Sequence, residues 1–210
     1  MENEVVLKRA TRFAGRNLAK LAGHDPDKLL FRGNDGLFVE AMSACTVYAE
    51  YGCGASTIWC ANNTTVPIIA VDSSAQWIAR VRDRSERRDD LKMVHVDLGE
   101  LGDWGRPVAY GRRSAFSDYI AAPWSHDAKP DLILVDGRFR VACFLQSLVN
   151  AAAGSTILFD DYTERRQYHL VEEFTERVAT CGTMAKFVVP AKLDRDAIAQ
   201  EIEAFTYVMD

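Results

Sequence analysis

Six carboxylates stand at the ends of five apolar runs: Glu50 after VYA, Asp72 after IIAV, Asp97 after VHV, Asp136 after LILV, and the pair Asp160-Asp161 after TILF. Gly52 and Gly54 follow the first acid at once, with Ser56 just beyond. A strand that ends in a Gly-x-Gly turn lets a ligand approach the backbone, because no Cβ stands in the way. Asp72 lies 18 residues after Gly54, where an acid can accept hydrogen bonds from ribose hydroxyls. These residues point to a nucleoside-bearing cofactor, NAD or another adenosine compound. The dinucleotide fingerprint asks for a third glycine three residues after the second, and Thr57 stands there instead, which weakens the dinucleotide reading. Each acid alone has a simpler explanation, since an Asp at a strand end often caps the next helix. Asp161-Tyr-Thr-Glu164 has the spacing of a capping box. Capping accounts less well for acids at five successive strand ends.

The elements that must position these acids alternate. Strands are expected over 45–51, 66–72, 91–97, 131–137, 155–161, 185–190 and 204–210. The first five are apolar on both faces, as in a parallel sheet covered by helices on each side. Between them, 73–90 places Trp77, Ile78 and Val81 on one helical face with a Ser73…Gln76 capping spacing, and 138–153 is apolar almost throughout. Over 163–182, Leu170, Val171, Phe174 and Val178 make an inward helical stripe, with Gly182 as its stop. Alternating βαβ units predict an α/β fold, a Rossmann-like, doubly wound, mostly parallel seven-stranded sheet with helices on both faces.

Residues 1–44 form an N-terminal helical extension to the domain of residues 45–210. Leu7, Ala10, Ala14, Leu18 and Leu21 mark one amphipathic helix, and a second short helix follows the turn GHDPDK. That apolar stripe suits packing on a second subunit as well as on its own sheet, so a homo-oligomer stays open. Residues 98–130 are irregular and rich in aromatics and arginines; segments of that length are often functional. Within them DWGRP (103–107) reads either as a lid or as a loop stapled to the sheet by Trp104.

The bulk properties bound the function. The chain has 210 residues, 48% hydrophobic and 26% charged, with a net charge of −5: one ordinary globular domain with no general affinity for nucleic acid. The stretch ARVRDRSERRDD holds five arginines but also four acids, the mark of an exposed, salt-bridged helix face. No apolar run approaches the roughly 18 residues that span a bilayer, and the first residues lack a signal-peptide core. Five cysteines, an odd number without C-x-x-C spacing, read as small buried hydrophobes in a reducing cytoplasm. No membrane, zinc or nucleic-acid partner is expected.

The stretches AEYGCGAST, AVDSS and HVD resemble the first three motifs of class I S-adenosylmethionine (SAM)-dependent methyltransferases. The resemblance covers about residues 45–190 and implies that Glu50, Gly52 and Gly54 lie beside the methionine part of SAM, with Ser56 a further candidate. It puts Asp72 on the ribose and Asp97 near the adenine amino group. DLILVDGRFR and TILFDDY are similar to the two motifs of cation-dependent O-methyltransferases of small molecules and sugars. That similarity implies Asp136, Asp160 and Asp161 as ligands of a divalent cation such as Mg²⁺, which would orient an acceptor hydroxyl and lower its pKa. Three converging carboxylates are costly without a counter-cation or raised pKa values.

One departure stands out. Such enzymes often carry a lysine base after the strand-four acid, and here the stretch is Gly137-Arg138-Phe139-Arg140. Arginine stays protonated and is a poor base; Arg138 or Arg140 suits an anionic substrate or solvent. Asp136, Asp160 and His169 are then the catalytic candidates, while His95 reads as a strand residue. The expected activity is O-methylation of a small-molecule acceptor. Two alternatives remain open: a SAM-binding scaffold without turnover, and an NAD-dependent oxidoreductase.

Overall fold

Residues 30–210 are described by the structure, a computed structural model. The helix expected on Leu7 through Leu21 lies outside the described residues. β1 (Tyr48–Tyr51), β2 (Ile68–Asp72), β3 (Leu91–His95), β4 (Leu132–Val135), β5 (Thr156–Phe159), β6 (Arg177–Cys181) and β7 (Met184–Val188) form one sheet in the order 3-2-1-4-5-7-6. β1 to β5 are parallel; β7 runs antiparallel to β5, and β6 to β7. The order reverses between β1 and β4, and in open α/β sheets the crevice beyond such a switch point is where ligands bind.

Both faces of the central strands are covered, which is why those strands read as apolar throughout. On one face Tyr48, Leu132, Leu134 and Leu158 meet α1 (Gly36–Met42), α2 (Ala55–Asn63) and α3 (Ala75–Arg84) through Phe38, Trp59, Ile78 and Val81. On the other, Tyr51, Ile133, Val135 and Phe159 meet α4 (Phe116–Ala121), α5 (Arg140–Asn150) and α6 (Arg195–Phe205). Phe144, Leu145 and Leu148 of α5 are completely buried, each contributing about 1.5–3 kcal/mol in apolar transfer. Phe38 is equally buried, edge-on to Tyr48 and Trp59, so the described part of the N-terminal extension belongs to the core.

The seven-stranded sheet is as expected, but two elements differ from their expectation. Residues 163–182 form no long helix: a 3₁₀ segment (Arg166–Glu173) leads into β6. The helical stripe fails at Val178, which is 52% exposed, because β6 is an edge strand whose residues alternate between covered and open sides. Gly182, expected as a helix stop, instead turns the β6–β7 hairpin at φ +58. The strand expected over 204–210 is also absent. Ile198, Ile202 and Phe205 recur at helical spacing and pack on the α5 side of the sheet, and Asp194 caps α6 by accepting the Ala197 N–H at 3.0 Å.

The segment 98–130 is pinned to the sheet, though not by Trp104, which is 91% exposed. Phe116, Tyr119 and Ile120 are buried, and Trp124 donates its indole N–H to the Tyr51 hydroxyl at 3.0 Å. Among the described residues no helix is long and apolar enough to cross a membrane. All five cysteines are free.

Candidate functional site

The turn after β1 is locked from beneath. Glu50 is completely buried, and its Oε2 accepts from the Tyr48 hydroxyl at 2.9 Å and the Ser56 hydroxyl at 2.6 Å. Its Oε1 accepts from the Thr57 hydroxyl, whose oxygen in turn accepts the Gly54 N–H at 2.8 Å. Burial pushes the Glu50 carboxyl up to about 7, against the pull of the three hydroxyls. Glu50 and Ser56 therefore hold the turn from its core side, their side chains engaged in hydrogen bonds within it. Thr57, the residue that displaces the third fingerprint glycine, ties the start of α2 to Glu50.

Above this lock the turn is packed against the β4 turn at Gly52 and open at Gly54. Gly52 sits at φ +88, a conformation in which side chains are strained. A Cβ at Gly54 would meet only the Trp77 indole nitrogen, at 3.9 Å, so the space above it is open. Asp72 joins this turn to the start of α3: its Oδ2 accepts the Cys53 N–H at 3.1 Å and its Oδ1 the Ser74 N–H at 2.7 Å. Burial raises its pKa. The helix cap is Ser74 rather than Ser73. Trp77, expected on the inward face with Ile78 and Val81, instead lies half open and donates its indole N–H to the Cys53 carbonyl at 2.5 Å. Sequence reasoning missed this clamp on the glycine turn; its signal was an aromatic one turn into the helix that follows Asp72.

Asp97 lies beyond β3 on the same sheet edge. It accepts the Gly99 N–H at 2.9 Å and pairs with Arg112 at 3.0 Å, both partners largely exposed. His95 places Nε2 3.1 Å from the Ser73 carbonyl, and Ser73 also donates to the Gly105 carbonyl at 3.0 Å. The loop carrying Trp104 is thus anchored beside Asp72.

Across the switch point, Asp136 follows β4. Its N–H donates to the Tyr51 carbonyl at 3.0 Å, and its side chain is 34% exposed. Burial, with Asp160 and Asp161 nearby, pushes its carboxyl up to about 7 although Arg140 pulls the other way. It does not cap α5, whose first turn begins after Phe139. Arg140 makes an ion pair with Asp136 at 3.1 Å and lies 3.4 Å from Asp161. Asp161 also pairs with Arg165 at 2.8 Å, so its capping-box reading gives way to a bridge in a turn at φ +55. Asp160 turns elsewhere and accepts the Thr183 hydroxyl at 3.0 Å. The three expected metal ligands are thus paired with arginines or turned aside, and among the described residues no group of three His, Cys, Asp or Glu is arranged to hold a metal ion. The expected carboxylate-built Mg²⁺ site finds no support in this arrangement. His169 stacks on Tyr162 and places Nε2 3.2 Å from the Tyr162 carbonyl; no hydrogen bond joins it to Asp136, Asp160 or Asp161 among the described residues.

No protein-family model and no curated protein sequence matches the chain. Solved structures do. A methyltransferase-like protein from Silicibacter pomeroyi is 32% identical, with a TM-score of 0.74 over 85% of this chain and 96% of that one. The O-methyltransferase TomG from Streptomyces achromogenes, in complex with SAM, is 15% identical with a TM-score of 0.55, covering 85% of this chain and 90% of its own. An O-methyltransferase from Bacillus cereus, in complex with S-adenosylhomocysteine (SAH), is 16% identical with a TM-score of 0.53, covering 87% and 90%. The last two share the fold, and the 32% identity with the first over 85% of this chain establishes that the chain belongs to the class I SAM-dependent methyltransferases.

Proposed function

We propose that the protein binds SAM and transfers its methyl group to a hydroxyl of a small molecule or sugar, with Asp136 receiving the hydroxyl proton. One observation carries this reading. A partly open carboxylate, raised to about 7, stands beside the glycine turn: a Cβ at Gly52 would lie 2.8 Å from the Asp136 carbonyl oxygen. A base poised near neutrality accepts a proton without being permanently protonated.

The residues present fit the cofactor. Gly54 leaves the backbone open where its methionine part would lie, Asp72 has unused lone pairs for ribose hydroxyls, and Asp97, beyond β3, would meet the adenine. When bound, SAM supplies an electrophilic sulfonium methyl. Asp136 would take the acceptor's proton, freeing the hydroxyl oxygen for the methyl group that bound SAM would supply, with SAH as the product left behind. Holding acceptor and donor in line contributes much of the rate. O-Methyltransferases among the similar structures support a hydroxyl acceptor, and five free cysteines fit a cytoplasmic protein.

The test is methyl transfer from isotopically labelled SAM to a panel of phenols, catechols and sugars. Labelled product from a hydroxyl compound, abolished by Asp136→Asn, is the expected result. Transfer only to amines, or turnover indifferent to Asp136→Asn, would contradict it.

A further inference from the structure

Arg140 opens α5, yet its side chain is 4% exposed. The preceding Phe139 sits at φ +53, and the arginine donates to groups at the ends of both β4 and β5. Nε donates to the Gly137 carbonyl at 3.1 Å, Nη1 to the Asp160 carbonyl at 2.7 Å, and Nη2 to Asp136 Oδ1 at 3.1 Å. The same Nη2 lies 3.4 Å from Asp161 Oδ2. A guanidinium keeps its charge when buried and presents its donors in a rigid fork. Here the fork joins two strand ends and two carboxylates.

These contacts do not fit a divalent cation. Asp136 and Asp161 already have a positive partner, Asp161 has a second in Arg165 at 2.8 Å, and Asp160 gives its Oδ1 to the Thr183 hydroxyl. A metal ion among them would displace hydrogen bonds and face a like charge at contact distance. We propose that Arg140 is the resident counter-cation of this acid cluster, so that methyl transfer proceeds without a divalent metal ion. Arg140 then acts as a positioning residue: it fixes the Asp136 carboxylate at the end of β4 and leaves the acceptor to be oriented by side chains alone. The inference rests on the methyltransferase reading for its reaction, while the charge balance of the cluster stands on its own.

The test is calorimetric titration of the purified protein with Mn²⁺, with and without SAH, repeated on Arg140→Ala. The wild type should bind no Mn²⁺ at micromolar concentrations, and its SAH affinity should be the same within twofold in EDTA or Mg²⁺. Arg140→Ala, with two carboxylates released, should bind Mn²⁺ at least tenfold more tightly than the wild type and gain thermal stability from it. If Arg140→Ala does not fold, Arg140→Gln removes the charge while retaining hydrogen bonds and serves the same comparison. Micromolar Mn²⁺ binding by the wild type that Asp136→Asn abolishes would overturn the proposal. So would a folded, charge-free variant that gains no Mn²⁺ affinity. Failure of the wild type to bind SAH sinks the methyltransferase reading instead, whatever Mn²⁺ does.

Discussion

Gly52 and Gly137 meet backbone to backbone: a Cβ on Gly52 would lie 2.8 Å from the Gly137 Cα, and one on Gly137 would lie 2.8 Å from the Gly52 nitrogen. The glycine turn after β1 and the turn carrying Asp136 after β4 are therefore one mechanical unit, closed by Tyr119, whose hydroxyl oxygen a Gly137 Cβ would run into. Gly137→Ala should cost about 1–3 kcal/mol through overpacking, with Tm falling roughly 2–4 °C for each kcal/mol in a chain of this size. SAH affinity should weaken with it. Gly111→Ala is the control, since nothing lies within 4 Å of its Cβ. Equal melting temperatures for the two variants would show that the turns are not coupled this way.

The bond from Trp77 to the Cys53 carbonyl gives the glycine turn a second tie besides Glu50. Trp77→Phe keeps an aromatic body and removes the N–H, a loss of about 1 kcal/mol. Because the ring is 43% exposed, little packing is lost, and Tm should move by only a few degrees. The effect belongs in binding, a SAH Kd raised about fivefold. Unchanged affinity by calorimetry would mean the turn stands without this clamp.

Asp136 must be ionised to receive a proton, so its raised pKa gives a signed pH profile. With the carboxyl at about 7, kcat/KM should climb as pH rises toward 7 and level off above it. Asp136→Asn should lower turnover about 10²–10⁴-fold, remove that limb of the profile, and leave SAH affinity nearly unchanged. A profile of the same shape in the variant would assign the base elsewhere.

Glu50 predicts a pH dependence of stability. Its folded-state carboxyl is raised from 4.5 to about 7, so the folded protein holds this proton more tightly than the unfolded chain does. That contribution is fully present below about 4.5 and is lost as pH rises through 7. Glu50→Gln removes the titration, and its Tm should fall less than that of the wild type between pH 5 and pH 8. Parallel curves would show that Glu50 is not the titrating group.

Much of the fold was legible because β1, β2, β4 and β5 are covered on both faces, a condition that writes itself as uninterrupted apolar runs. The strand-end acids were legible for the same reason, standing where each run stops. What could not be read depends on packing partners. Val178 and its neighbours form a helical stripe on paper, yet Gly182 reverses the chain and pairs Arg177 and Ala179 to Cys181 with β7, leaving Val178 at a bulge. The β-branched run near Tyr207 lies just past a helix defined by Ile198, Ile202 and Phe205. At the site, charge counting raised the need for a counter-cation among Asp136, Asp160 and Asp161, but not its source. Arg140 supplies it four residues after Asp136 because the chain enters α5 through the left-handed Phe139. Glu50 presents the same difficulty: a strand-end acid has the same letter whether it faces a ligand or the hydroxyls of Ser56 and Thr57.

The most direct test of the account is calorimetric titration of the wild-type protein and Asp72→Ala with SAH. The account predicts one site per chain with a micromolar Kd, weakened at least tenfold in Asp72→Ala because the ribose hydroxyls lose their acceptor and the Cys53 N–H its partner. No heat up to millimolar SAH, or equal affinity in the two proteins, would contradict the placement of the cofactor over Gly52, Gly54 and Asp72.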